Sequence, residues 1–111
     1  MAYTGSPFTV YNAISATPTV PFELILSGQK GFKLETSGTS TSRTINFKVK
    51  LNQDSVAKVF SVMNFTTGDF VQTTTGINEV LDASGLEGLY SIIIDVSAIG
   101  GGNLTVLGKW Y

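Results

Sequence analysis

Apolar and polar side chains alternate along most of this chain. The clearest case is "RTINFKVKL", where Ile45, Phe47, Val49 and Leu51 share one phase and Thr44, Asn46, Lys48 and Lys50 the other. An unbroken period of two over eight positions predicts a half-buried antiparallel strand. "TVPFELIL" alternates as well, with Phe22, Leu24 and Leu26 against Glu23 and Ile25. Pro21 has no N–H to give, so this strand starts there or lies at an edge. "FKLET" points Phe32 and Leu34 inward and Lys33 and Glu35 outward. "SVAKVFSVMNF" is ambiguous: Val56, Val59, Phe60 and Met63 sit at helical spacing, and Asp54 or Ser55 could cap. Three valines and a phenylalanine among strands favour a strand reading. "FVQTTT" and "INEVLD" read as further strands broken at Gly76.

The chain closes on "YSIIIDVSAIGGGNLTVLGKWY", two strand-like runs around three glycines. Tyr90, Ile92, Ile94 and Val96 fall on one face of the first run, and Ile93 on the other with Ser91, Asp95 and Ser97. In the second run, Leu104, Val106, Gly108 and Trp110 oppose Thr105, Leu107, Lys109 and Tyr111. The glycines suit the positive φ of a hairpin turn. In all, about eight short strands separated by turn signals predict an all-β fold, an antiparallel sandwich or jelly roll, over residues 19–111. Residues 1–18, with Pro7 and Pro18 among small polar residues, predict an extended N-terminal arm. That arm either frays or lies across a neighbouring subunit, which would cover Tyr3, Phe8 and Tyr11.

Composition changes the picture mainly by exclusion. The chain of 111 residues has neither cysteine nor histidine. Thiolate chemistry, disulfides and the commonest base and metal ligand near neutral pH are therefore absent. Charged residues are 14% of the chain and the formal charge is −1. No block of charge exists to attract nucleic acid or an anionic membrane. No apolar run is long enough to span a bilayer, and no secretory leader is read at the start. The hydrophobic fraction is 42%. Few charges beside so much apolar surface suggest that some of it is buried between chains. Ile93, Leu107 and Tyr111, with Ala57, Val59 and Met63, are the candidates for a contact patch if strand order brings them together.

The remaining candidate chemistry is thin. A Ser55–Lys58 dyad has the right residue types in a chain where both are common. The eight acids are scattered; only Glu79 with Asp82, and Asp82 with Glu87, are close in sequence. Asp82, Glu87 and loop carbonyls could hold calcium, but no calcium-loop motif is present. "IGGGN" joins two strands and opens no helix, so it is no phosphate cradle. Exposed aromatics of small jelly rolls can stack on sugar rings; Phe70 and Trp110, with Tyr90 and Tyr111, are the candidates here, and Trp110 is better suited to core or interface packing. The expectation is a protein that is not an enzyme and uses no cofactor or metal.

The arm, the Thr/Ser/Gly-rich strands and the closing run with Gly88, Tyr90, Ile92 and Ile94 before a glycine hairpin resemble small tailed-bacteriophage virion proteins: head-decoration, head-fibre and accessory structural subunits. The resemblance is one of style over most of the chain. It implies a homo-oligomer, expected to be a trimer, attached to a capsid or other virion protein and located in the virion. A carbohydrate-binding module is the alternative.

Overall fold

The computed structural model describes residues 6–111, and Tyr3 lies outside them. Among the described residues every regular element is a strand: β1 Phe8–Ile14, β2 Phe22–Ile25, β3 Gly31–Ser37, β4 Ser42–Lys50, β5 Lys58–Val59, β6 Val62–Asn64, β7 Asp69–Val71, β8 Thr73–Thr74, β9 Val80–Ser84, β10 Ser91–Gly100 and β11 Leu104–Trp110. They form two antiparallel sheets. The first, sheet A, runs β1-β11-β3-β9-β6-β7. The second, sheet B, runs β2-β10-β4-β5, with β8 also beside β4.

The inward phase of each alternating run fills the space between the sheets. Ile45, Phe47, Ile92, Ile94 and Val96 from sheet B meet Phe32, Leu34, Leu81, Val62, Leu104 and Val106 from sheet A. Each buried aliphatic side chain of this size contributes about 1.5–3 kcal/mol. Leu51 leaves the pattern: β4 ends at Lys50, and Leu51 is exposed in the following turn.

The described residues hold eleven strands and not eight, because two predicted strands break where they change sheet and the stretch read as an arm adds one. "SVAKVFSVMNF" is not helical. It gives β5 in sheet B and β6 in sheet A, with Phe60 and Ser61 crossing between them. "FVQTTT" divides at Gln72 into β7 of sheet A and β8 of sheet B. Both crossings hang on one residue: Phe60 N donates to Phe47 O at 3.0 Å, and Phe47 N to Gln72 O at 3.1 Å.

The stretch read as an arm contributes β1, which pairs with β11 at the edge of sheet A. Phe8 and Tyr11 find cover within their own chain. Phe8 packs on Phe32 and Trp110, with ring centroids 5.6 and 6.1 Å away. Trp110 lies 4.8 Å from Phe32. Gly108 makes this cluster possible, because the Phe32 ring occupies the place a Cβ there would take. Tyr11 is buried, donates to Ile94 O, and accepts from Phe22 N at 3.0 Å. One hydroxyl thus ties the edge of sheet A to β2 and β10 of sheet B.

The three glycines seen in the sequence turn under the β3–β4 loop. Thr39 N donates to Asn103 Oδ1, Asn103 N to Thr39 Oγ1, and Ser40 N to Asn103 O. Gly102 has φ +145°, and a Cβ on it would lie 2.6 Å from the Thr39 carbonyl group. Close approach of two loops, as much as positive φ, requires glycine here.

Candidate functional site

The outward phase of sheet A carries exposed aromatic and aliphatic side chains organised by strand pairing. Register aligns Lys109, Lys33, Asp82, Met63 and Phe70 in one row across β11, β3, β9, β6 and β7. The next row is Thr9, Leu107, Glu35 and Val80. Phe65 adjoins the first row from the turn after β6. Phe70 is 68% exposed, Phe65 55% and Val80 41%. Pro7, Leu107 and Val80 line an open groove of about 270 Å³ whose rim holds Lys33, Lys109 and Glu35.

The Lys33 ammonium organises the middle of this face. It lies 4.7 Å from the Tyr111 ring centre and 5.2 Å from that of Phe65, and 3.4 Å from Asp82 Oδ1. Tyr111 is held by its backbone, which exchanges hydrogen bonds with Gly31 and accepts one from Lys30 N. Its hydroxyl pKa is pushed up to about 12, first by burial and then by the neighbouring Asp82 carboxylate. The Tyr11 hydroxyl is also raised, chiefly by burial.

The outer face of sheet B is different in chemistry. Glu23, Ile93, Lys48 and Val59 form one row, and Ile25, Ser91 and Lys50 another. Ser91 Oγ donates to Glu23 Oε2 at 2.5 Å, and Lys50 Nζ lies 3.5 Å from the same oxygen. Farther along, Thr73 donates to Asn46, and Asn46 to Ser97.

The candidate contact residues are therefore divided. Leu107, Met63 and Tyr111 share the sheet A face with Phe70. Val59 and Ile93 lie on the opposite side of the sandwich. Ile93 is only 8% exposed, flanked by Glu23 and Lys48, and offers little surface to a partner. Tyr11 and Phe8 are engaged in cis as described. Trp110 is half-buried in the Phe8–Phe32 cluster, which leaves Phe70 the exposed member of the proposed sugar-stacking set. Sequence reasoning did not single out Phe65 and Val80. The signal for Val80 was its phase, opposite to Leu81 and Ala83; Phe65 sits at a turn, where phase is lost.

The acids do not gather. Among the described residues no three metal-ligating side chains of His, Cys, Asp or Glu come together. Glu79 and Asp82 do not form a carboxylate pair: Asp82 faces outward toward Lys33, whereas Glu79 is buried. Thr74 donates to Glu79 Oε1 at 2.5 Å and Asn64 Nδ2 to Oε2 at 2.9 Å, while Thr36 exchanges two backbone-linked bonds with Glu79. Buried Arg43 is satisfied separately by Ser40 and the Thr75 carbonyl. Fully partnered buried groups of this kind hold elements in place. Ser55 Oγ accepts from Asn52 N at 3.0 Å and closes its turn.

Comparison with known families finds that the model of the XepA family matches residues 8–110. Among solved structures, the chain resembles the SPBc2 prophage-derived protein YomS with a TM-score of 0.85 and 23% identity, over 99% of this chain and 96% of that one. It also resembles the PBSX exported protein XepA with a TM-score of 0.84 and 19% identity, over 95% of this chain and 37% of that one. A search of the curated proteins finds no match.

Proposed function

This chain belongs to the XepA family, and from that premise we propose that it is a phage-associated structural subunit that works by docking, not by catalysis. In this reading copies associate into a closed ring, and the ring attaches to a capsid or other particle protein. One solved neighbour is prophage-derived, which supports the phage association. The observation that carries the docking role is the sheet A face. Phe65, Phe70 and Val80 stand exposed beside Met63, Leu107 and the groove, Val80 on the interior strand β9, Phe70 on the edge strand β7 and Phe65 in the turn between β6 and β7. Burying each of these large side chains would contribute about 1.5–3 kcal/mol to an interface, and contiguous exposed patches of this type mark contact sites.

Light scattering on purified protein and co-sedimentation with phage particles test the reading. The expected result is self-association that Phe70→Ser or Phe65→Ser shifts toward monomer. A strict monomer at high concentration, with no affinity for any particle, would overturn it. Glycan binding abolished by Phe70→Ala would replace it with the carbohydrate-binding alternative.

A further inference from the structure

All three prolines of the chain flank one strand. Pro7 precedes β1, and Pro18 and Pro21 lie in the connection from β1 to β2. That connection, residues 15–21, is mostly exposed, and among the described residues it makes no hydrogen bond. Within β1 itself, Ala13 has φ +49°, and its N–H donates to Thr105 Oγ1 of β11 at 3.0 Å. The pairing of β1 with β11 shifts register twice, between Thr9 and Tyr11 and again before Ile14. β1 is therefore attached to the other described strands by a proline-stiffened connection that has no hydrogen bonds of its own. Yet it delivers a large apolar payload, Phe8, Val10 and Tyr11, to the shared core.

From these features we propose that β1 is exchanged between copies: the Phe8–Ile14 strand of one molecule seats on β11 of a second copy. Each contact that β1 makes in cis exists again on the receiving copy. The Phe8 ring finds Phe32 and Trp110, and the Tyr11 hydroxyl finds Ile94 O and Phe22 N. Only the connection differs. Extended, its seven residues reach about 23 Å, and two prolines favour that extended form. Identical contacts joined by a connection that favours the extended form are the condition under which strands swap. The inference goes beyond the docking role proposed above and stands without it.

The absence of cysteine makes a clean test. Thr9 faces Leu107 across the β1–β11 ladder. Thr9→Cys and Leu107→Cys single variants, unfolded together, refolded at high concentration and oxidised, would pair at random to give about half mixed disulfide. Exchange predicts a mixed Thr9–Leu107 product well above half, falling toward half on refolding at low concentration. A second mixture, with Val80→Cys replacing Thr9→Cys, controls for packing of one sheet A face on another and should stay at half. A first mixture at half overturns the exchange. Both mixtures above half also overturn it and assign the contact to face-to-face packing.

Discussion

The Tyr11 hydroxyl closes one side of the sandwich with two hydrogen bonds, one given to Ile94 O and one taken from Phe22 N. Both partners are backbone groups with no other polar side chain bonded to them among the described contacts. Tyr11→Phe should therefore lower unfolding free energy by about 1 kcal/mol, the net contribution of buried hydrogen bonds whose backbone partners keep their ladder pairing; urea denaturation at neutral pH measures this. Tyr111 gives a prediction of a different kind. Its folded pKa is about 12, against about 10 in the unfolded chain. Between these values the unfolded state binds fewer protons, so stability falls as pH rises. The contribution is fully present below pH 10 and lost through pH 12. Wild type should lose stability over that window more steeply than Tyr111→Phe, by denaturation at matched pH values. Tyr11, raised by burial, contributes with the same sign in both proteins and cancels in the difference.

At the scale of elements, short strands depend on side chains for their placement. β6 and β8 have three residues and two, too few for ladder hydrogen bonds alone to fix them. Glu79 joins them. Its carboxyl takes Asn64 of β6 in sheet A and Thr74 of β8 in sheet B, and its backbone engages Thr36 of β3. Gly76 leaves the space that this carboxyl fills. Glu79→Ala should cost about 3 kcal/mol, since two buried donors lose their acceptor. Hydrogen exchange should show the loss first in β6 to β8, the strands that the carboxyl joins. The acid was visible in the sequence only as a possible partner of Asp82. Its burial depends on where the chain crosses between sheets, and local pattern carries no information about that.

At the scale of the whole molecule, the two outer faces are unequal in chemistry. Sheet A presents aromatic and aliphatic residues around Lys33, while sheet B presents the aliphatic Ile25 and Val59 among paired charges and hydrogen-bonded polar groups. If the sheet A face is the contact surface, Val59→Ser on the far side should leave self-association unchanged. Phe65→Ser and Phe70→Ser should weaken it at least tenfold, the equivalent of about 1.4 kcal/mol; sedimentation velocity on each variant checks this. Leu107 and Met63 were recognised as outward-facing from phase alone, but so were Val59 and Ile93. Period two distinguishes inside from outside and does not say which outside. Two sheets have two outer faces, and only strand order separates them.

The alternation of apolar and polar positions was enough to determine an all-β sandwich and the inward residues of β2, β3, β4, β10 and β11, and composition gave the lack of cysteine and histidine. These follow from side-chain direction along a strand and from composition, both local properties. Tertiary structure alone decided that β1 completes sheet A, that β5–β6 and β7–β8 cross between layers, and that Glu79 is buried. It also decided that Ile93 is covered by its neighbours while Phe65, Phe70 and Val80 stand together. Each of these depends on which strands become neighbours, and that is set by contacts between residues far apart in the chain.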